Sequence, residues 1–171
     1  MAREFLLVDG YNVIHAWDEL RRIVNEQNLE IARSRLLEIL SNYQGYKKID
    51  VIVVFDAHRV KGTRKVITYH NINVVFTKEV ETADHYIEKV VHQIGRDYRV
   101  RVATSDGLEQ IIILGKGASR MSARELYTEV KQVEKNMRKK FIEKKQLDHS
   151  NRLEGHLDSG VLEWMEKMRR K

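Results

Sequence analysis

The sequence predicts an α/β fold with three layers, in which a mostly parallel central sheet is flanked by helices and followed by basic C-terminal helices. Short β-rich runs alternate with helical patterns along the chain. The run Val51–Phe55 is apolar throughout, which is typical of a strand buried on both faces of a parallel sheet. Acidic residues follow several of the runs, as expected where a parallel sheet binds ligands.

Four apolar runs predict the strands of this sheet. They are Phe5–Val8, Val51–Phe55, Ile72–Phe76 and Val100–Ala103, and Lys65–Tyr69 is a candidate fifth strand. The helical patterns that separate most of them favour parallel pairing, because parallel neighbours need a crossover connection.

Apolar residues at helical spacing predict the flanking helices. The clearest patterns cover residues 28–43 and 83–95, and Leu108–Leu114 predicts a short helix. A capping box, Ser122-Ala123-Arg124-Glu125, begins a longer helix that we expect to reach about Leu147. Its apolar stripe consists of Leu126, Val130, Val133, Met137 and Phe141. A polar linker, 148–159, and a last amphipathic segment, 161–168, complete the prediction.

Composition places limits on the class of protein. The chain has 171 residues, of which 42% are hydrophobic, enough for one core of ordinary domain size. It contains no cysteine, which excludes disulfides and thiolate metal sites. The longest apolar run is far below the roughly 20 residues of a membrane helix, and no signal peptide is recognisable. We therefore expect a cytoplasmic protein without membrane association.

Positive charge is concentrated toward the C-terminus. The chain has a net charge of +6. The segment 131–171 has 12 basic and 7 acidic residues, so it contributes +5 of that charge. This division predicts a near-neutral domain over 1–130 and a basic helical extension over 131–171, packed on the domain or continuing from it. The extension suggests an anionic partner such as nucleic acid, although a solvated helix face accounts for the charge nearly as well.

Four aspartates are predicted to meet at one edge of the sheet. Asp9, Asp56 and Asp106 each end a predicted strand, and Asp84 lies in the first turn of the helix that follows Ile72–Phe76. Clustered carboxylates repel one another unless a cation is present, and Mg²⁺ prefers such oxygen ligands. Glu81 and Glu109 are close enough in sequence to support the site.

Each aspartate also has a purely structural explanation. Asp106 heads a helix-capping sequence, Asp84 would gain from the helix dipole with Thr82 as the cap, and Asp9 precedes a glycine in a turn. Asp56 is the hardest to explain in this way, because it ends a fully apolar strand.

Residues around this edge suit a phosphate-bearing substrate. Gly10 permits close approach of a backbone, and Asn12 can bind a carboxylate or a substrate oxygen. Basic residues that could hold RNA phosphates are Arg59, Lys61, Arg64, Lys65, Arg120, Lys135, Arg138 and Lys139. A charged surface hairpin is the alternative explanation for the segment 58–65.

Other chemistries lack their motifs. The chain has no Gly-x-x-x-x-Gly-Lys-Ser/Thr loop, no Gly-x-Gly-x-x-Gly and no His-x-x-x-His pair. A phosphoacceptor signalling domain would use Asp56 as its acceptor, but it normally needs two adjacent acids after its first strand. Here Gly10 follows Asp9.

Four motifs in order resemble the NYN domain, a branch of the PIN-like metal-dependent ribonucleases. They are Val8-Asp9-Gly10-Tyr11-Asn12, Val54-Phe55-Asp56-Ala57-His58, Glu81-Thr82-Ala83-Asp84 and Ala103-Thr104-Ser105-Asp106-Gly107. The resemblance spans about residues 4–130 and is strongest to the YacP-like group. That group includes a ribosome-associated endoribonuclease that cuts messenger RNA in the ribosomal A site.

The resemblance implies a PIN-like fold and a role for each matching residue. Asp9, Asp84 and Asp106 would bind Mg²⁺ or Mn²⁺, and Asp56 would complete the acidic edge. Asn12 would orient Asp9 or the substrate. Thr104 and Ser105 would position the scissile phosphate or brace the site. Where PIN-like sites carry a further acid after the Asp106 position, this chain has only Glu109.

The predicted function is therefore metal-dependent endoribonuclease action by a monomer, in which a metal-activated water attacks the phosphodiester. The partners implied by the resemblance are messenger RNA and the ribosome. The alternative is a catalytically inactive module of the same fold that binds RNA or the ribosome.

Overall fold

The computed structural model describes residues 3–56, 65–78, 81–105, 118–156 and 167–169, with side chains from 150 to 156 left undescribed. The strands are β1 Glu4–Asp9, β2 Asp50–Phe55, β3 Lys65–Tyr69, β4 Ile72–Phe76, β5 Arg99–Ala103 and β6 Ser119–Met121. The helices are α1 Gly10–Ala16, α2 Asp18–Glu26, α3 Leu29–Lys47, α4 Ala83–Ile94 and α5 Ala123–His156.

The described strands form one sheet in the order β3-β4-β2-β1-β5-β6. Strand β1 pairs in parallel with both β2 and β5, and β2–β4 and β5–β6 are also parallel. Only β3 is antiparallel, beside β4, since the two follow each other through a tight connection. This confirms the predicted mostly parallel sheet, with Lys65–Tyr69 as one of its strands.

Helices cover both faces of the sheet. On one face, Leu7, Val54 and Val75 pack with Ile87 and Val91 of α4. Helices α1 and α3 cover the other face, where they contact β2 and β4. Strands buried on both sides need apolar residues at successive positions, which explains why Val53, Val54 and Phe55 are all buried. The predicted α/β architecture of helix, sheet and helix layers is confirmed.

Several element predictions need correction. Helices α1 and α2 and strand β6 were not predicted, because the first two are short and β6 spans only three residues. The predicted linker 148–159 is wrong over 148–156, where α5 continues to His156. That stretch is polar but has no proline to stop a helix, so its polarity indicates solvent exposure instead of a break. The predicted helix 108–114 lies outside the described residues.

The start of α5 is fixed by the Ser122 half of its predicted capping box. The Ser122 Oγ accepts a hydrogen bond from the backbone N–H of Glu125 at 3.0 Å. The indole N–H of buried Trp17 donates to the carbonyl of Ala123 at 2.7 Å. The apolar stripe is buried at Leu126, Val130 and Val133 but ends there, since Phe141 is 66% exposed.

Two compact units divide the chain, Met1–Val133 and Glu134–Lys171. The break falls inside α5, three residues after the predicted domain boundary at residue 130. The functional assignment of the two segments stays a prediction. Among the described helices, none combines the length and the apolar character needed to cross a bilayer.

Candidate active site

The carboxyl ends of four parallel strands meet at one edge of the sheet, and polar residues stand at each end. Asp9 is the last residue of β1 and pairs with Val54 of β2. Asp56 directly follows β2, Thr77 follows β4 and Thr104 follows β5. We call this end of the sheet the acidic edge, because its two central strands both end in a carboxylate.

Strand alternation places these side chains on the face covered by α4. Successive side chains of a strand point to opposite faces, so Asp9 shares the face of Leu7, and Thr104 shares that of Val102. Both Leu7 and Val102 belong to the cluster that packs against α4. Asp84 lies in the first turn of that helix, beside buried Ala83 of the same cluster. The fold therefore brings Asp84 to the same end and face as Asp9.

Gly10 is required by the close packing of the acidic edge. A Cβ built on Gly10 would lie 2.6 Å from Phe55 Cδ1 and closer still to Cε1. The Phe55 ring is fully buried and fills the space that a larger residue would need. Glycine therefore lets β1 end at Asp9 and turn at once into α1.

Asn12 braces the loop that carries Ser105. Its side-chain oxygen accepts a hydrogen bond from the backbone N–H of Ser105 at 2.9 Å. The bond ties the first turn of α1 to the residue immediately before Asp106. Orientation of Asp9 or substrate by Asn12 stays a prediction, and Asp106 and Glu109 themselves lie outside the described residues.

Thr77 is a structural residue of the edge that the sequence reasoning missed. Its backbone N–H donates to the carbonyl of Phe55 at 3.0 Å, which extends the β2–β4 pairing beyond the strands. Its hydroxyl donates to the carbonyl of Glu81 at 2.7 Å and fixes the approach to α4. Thr82 then caps the helix by accepting from the N–H of His85. The signal that could have revealed Thr77 is its position, because it directly follows a strand, but the sequence reasoning considered only acidic residues there.

The donor chemistry of the acidic edge suits a hard divalent cation. Its side chains Asp9, Asp56 and Asp84 offer carboxylate oxygens, the ligands that Mg²⁺ and Mn²⁺ prefer. Within the described ranges no three acidic or histidine side chains already form a metal-binding group. The predicted ligand set includes Asp106, which those ranges do not contain.

The predicted basic residues fall in several places. Lys65 pairs with Phe76 across the antiparallel β3–β4 ladder, so this exposed lysine lies at the acidic edge. Arg120 is exposed on β6, the outer strand beside β5. Three of the predicted residues are exposed on α5 beyond Val133, in the second unit: Lys135, Arg138 and Lys139. The remaining three lie outside the described residues: Arg59, Lys61 and Arg64.

An aromatic cluster occupies the opposite face of the same edge, under α3. The rings of Phe55 and Phe76 are stacked with centroids 5.6 Å apart, and Tyr11 contacts Phe55 at 5.0 Å. The Arg33 guanidinium lies over Phe55 and Phe76, 5.9 and 5.6 Å from the ring centroids. Its Nη1 also donates to the Tyr11 hydroxyl at 3.1 Å. Sequence reasoning missed this group, because Arg33 occupies what looks like an ordinary polar position of an amphipathic helix.

Comparison with known proteins identifies the family. The family model described as the YacP-like NYN domain matches residues 6–170, which includes the basic extension. The chain is 46% identical over 138 residues to YacP of Bacillus subtilis (strain 168), covering 80% of this chain and 81% of that protein.

Two solved structures from Bacillus subtilis resemble the chain. The crystal structure of Rae1 (YacP) matches with a TM-score of 0.73 and 42% identity, covering 97% of this chain and 94% of that one. The W164L mutant of Rae1 matches with a TM-score of 0.69 and 43% identity, over 79% of each chain. The motifs of the acidic edge, the fold and these matches agree, and the chain belongs to the YacP-like NYN-domain family.

Proposed function

We propose that this protein is a metal-dependent endoribonuclease that cleaves messenger RNA in the ribosomal A site. The observation that supports this most directly is that Asp9 and Asp56 stand at the carboxyl ends of β1 and β2, and that Asp84 lies in the first turn of α4 at the same end of the sheet. Ligands of open parallel sheets bind outside the carboxyl ends of the strands, which is where these carboxylates stand. The ribosomal substrate is inferred from the resemblance to the YacP-like group.

The proposed ligands of Mg²⁺ or Mn²⁺ are Asp9, Asp84 and Asp106, with Asp56 completing the acidic edge. A divalent ion bound there supplies a water of lowered pKa and offsets negative charge at phosphorus. The protein's own contribution is to hold the carboxylates and the phosphodiester in position. The Asn12 bond to Ser105 is suited to that task, since it fixes the loop between Thr104 and Asp106.

Cations are proposed to hold the rest of the RNA. Lys65 lies at the acidic edge, and Arg120 is exposed on the outer strand β6. Lys135, Arg138 and Lys139 add charge on the second unit. Such contacts with phosphates position RNA without reading its sequence.

The first prediction concerns the carboxylates. Asp9→Asn and Asp84→Asn each remove a negative charge while keeping side-chain size, so we expect cleavage to fall by a factor on the order of 100 or more. The measurement is the appearance of new 5′ ends on a defined message carried by translating ribosomes, with purified protein added.

Asp97→Asn is the matched control, because Asp97 is exposed beyond the far end of α4. It should cut like the wild type. Wild-type cutting by a folded Asp9→Asn or Asp84→Asn variant would contradict the proposal. If the wild-type protein binds ribosomes or RNA but produces no new ends, the inactive binding module is favoured.

A further inference from the structure

Arg33 differs from several other arginines of the sheet and its helices, because no acidic side chain among the described residues forms an ion pair with it. Arg3 pairs with Asp50, Arg35 pairs with Glu19 and Glu38, and Arg101 pairs with Glu129. Within the part of the chain that the structure describes, Arg33 contacts only the Tyr11 hydroxyl and two aromatic rings. The α3 side of the acidic edge therefore keeps a full positive charge.

The guanidinium is also held in place before any ligand arrives. Two rings lie beneath it, and the Tyr11 hydroxyl accepts one of its five N–H groups. An arginine fixed in this way loses little further side-chain entropy when it binds an anion. The remaining N–H groups form the planar fork that matches two phosphate oxygens.

Its position complements the carboxylates on the other face. Phe55, beneath the guanidinium, is the residue before Asp56, and Tyr11 comes two residues after Asp9. A row of aspartates repels a phosphate backbone, so RNA crossing this edge needs a fixed cation close by. Lys65 lies at the end of the β3–β4 ladder, but it is exposed and flexible, whereas Arg33 is half-buried and held.

We propose that Arg33, held by Tyr11, Phe55 and Phe76, binds an RNA backbone phosphate beside the one that is cut. This inference rests on the proposed ribonuclease function and adds a substrate-positioning residue to it. The aromatic cluster then serves as the support that aims the guanidinium at the acidic edge. Tyr11 acts through Arg33 and is a positioning residue.

The experiment compares Arg33→Gln, Arg33→Lys and Arg99→Gln as full-length proteins. Binding of a fluorescein-labelled single-stranded RNA oligonucleotide is followed by anisotropy in EDTA, from about 0.05 to 0.2 M KCl. For Arg33→Gln we expect affinity to fall about tenfold and the slope of log K against log salt to flatten by about 0.7, the value for one phosphate that the protein no longer neutralises. Arg33→Lys should keep the slope and bind with intermediate affinity, because it keeps the charge but loses the fork.

Arg99→Gln is the matched control, since Arg99 is exposed at the amino end of β5, on the opposite edge. It removes the same charge and should leave affinity and slope unchanged. Thermal unfolding of each variant distinguishes the loss of a phosphate contact from damage to the fold. Damage to the fold would lower stability without flattening the slope.

The outcomes are distinct from those of the cleavage experiment. If Arg33→Gln binds with the wild-type slope, the inference is overturned even where the wild type cuts RNA. It is also overturned if the wild type shows no saturable RNA binding at low salt. The inference is supported if the slope flattens in Arg33→Gln but not in Arg33→Lys or Arg99→Gln. This outcome does not depend on whether cutting requires the ribosome.

Discussion

Gly10 shows how a single residue constrains the acidic edge. Its hydrogen side chain is the only one that fits against the buried ring of Phe55, and the chain turns there directly from Asp9 into α1. Phe55 directly precedes Asp56 in the chain, and its ring stacks on Phe76. A methyl group at position 10 must therefore move either the ring or the strand end that carries Asp9.

Replacing Gly10 with alanine should destabilise the protein. We expect a loss of about 1–3 kcal/mol in the free energy of unfolding, because the added Cβ overpacks a core that has no room. Cleavage should fall more than stability, since the displaced strand end carries a proposed ligand. Urea denaturation measures the first effect and mapping of new 5′ ends measures the second.

Gly45→Ala is the control for this change. Gly45 lies inside α3, and a Cβ there would meet only Asn71 Nδ2 at an ordinary 3.7 Å. The same methyl group should raise stability by about 0.5–1 kcal/mol, because alanine favours a helix interior over glycine. Equal effects at the two positions would show that the Phe55 contact is unimportant.

At the scale of elements, a polar network joins the first turns of α5 to the sheet and to α3. The Tyr43 hydroxyl donates to Glu129 Oε1 at 2.6 Å, and Arg101 Nη1 donates to Oε2 at 3.0 Å. Glu4 lies 2.8 Å from Arg101 Nε in an ion pair without hydrogen-bond alignment. The network lies well back from the acidic edge, so its role is to fix α5.

The network shifts the titration of its members. Burial by itself would raise the pKa of Glu129, but hydrogen bonds from Tyr43 and Arg101 and the charge of Arg101 hold that pKa below its usual value. Burial, followed by the hydrogen bond to Glu129, raises the pKa of Tyr43. A carboxyl with a lowered pKa stabilises the folded state above its unfolded pKa, and this contribution is lost as the pH falls.

Replacing Glu129 with glutamine should therefore lower stability in a pH-dependent way. At neutral pH we expect a loss of about 1–3 kcal/mol, because Arg101 keeps its partial burial and its ion pair with Glu4 but loses its second charged partner, which accepts its hydrogen bonds. The difference from the wild type should shrink as the pH falls below 4.5, the ordinary value for glutamate, since the wild-type carboxyl then becomes protonated as well. Urea denaturation at a series of pH values checks this.

Glu38→Gln provides the comparison on a neighbouring helix. Glu38 forms an exposed pair with Arg35, and such pairs contribute only about 0–1 kcal/mol. A difference between Glu129→Gln and wild type that stays constant with pH would show that the network does not depend on the ionised carboxylate.

At the scale of the whole molecule, the unequal charge of the two units bears on RNA binding. The described cations of α5 beyond Val133 include Lys135, Arg138 and Lys139, all exposed. The first unit contains the acidic edge, which repels RNA unless cations compensate. We expect the second unit to supply much of the attraction that does not depend on sequence.

Reversing the three charges to glutamate should weaken binding of the single-stranded RNA oligonucleotide and flatten its salt dependence by about 0.7 for each phosphate that is no longer neutralised. Cutting at saturating protein should be retained, because the acidic edge is untouched. The measurements are anisotropy titrations at several salt concentrations and 5′-end mapping.

The control reverses Lys48, Arg96 and Arg99, exposed cations near the amino-terminal edge of the sheet. It changes net charge by the same amount. If both triple variants bind RNA equally weakly, the second unit has no special role and net charge alone explains the attraction.

The α/β class, the parallel strands and the strand ends that carry aspartates could all be predicted from the amino-acid sequence. These follow from short-range patterns: continuous apolar runs, helical periodicity and the capping residues Thr82 and Ser122, each of which acts on its own neighbours. The expectation that Asp9 and Asp84 share an edge came from the same patterns, because a helix that follows a parallel strand begins at the edge where that strand ends.

Other features depend on the packing of the folded chain. Strand β6 is too short to show an apolar pattern, and it forms by pairing with the exposed edge of β5. Helix α5 continues past Leu147 because the sequence there contains no proline that would end it. The site of Arg33 required α3 to cross above β2 and β4, which places residues 33, 55 and 76 in contact. Such contacts join residues that are distant in sequence, and no local pattern records which elements will pack together.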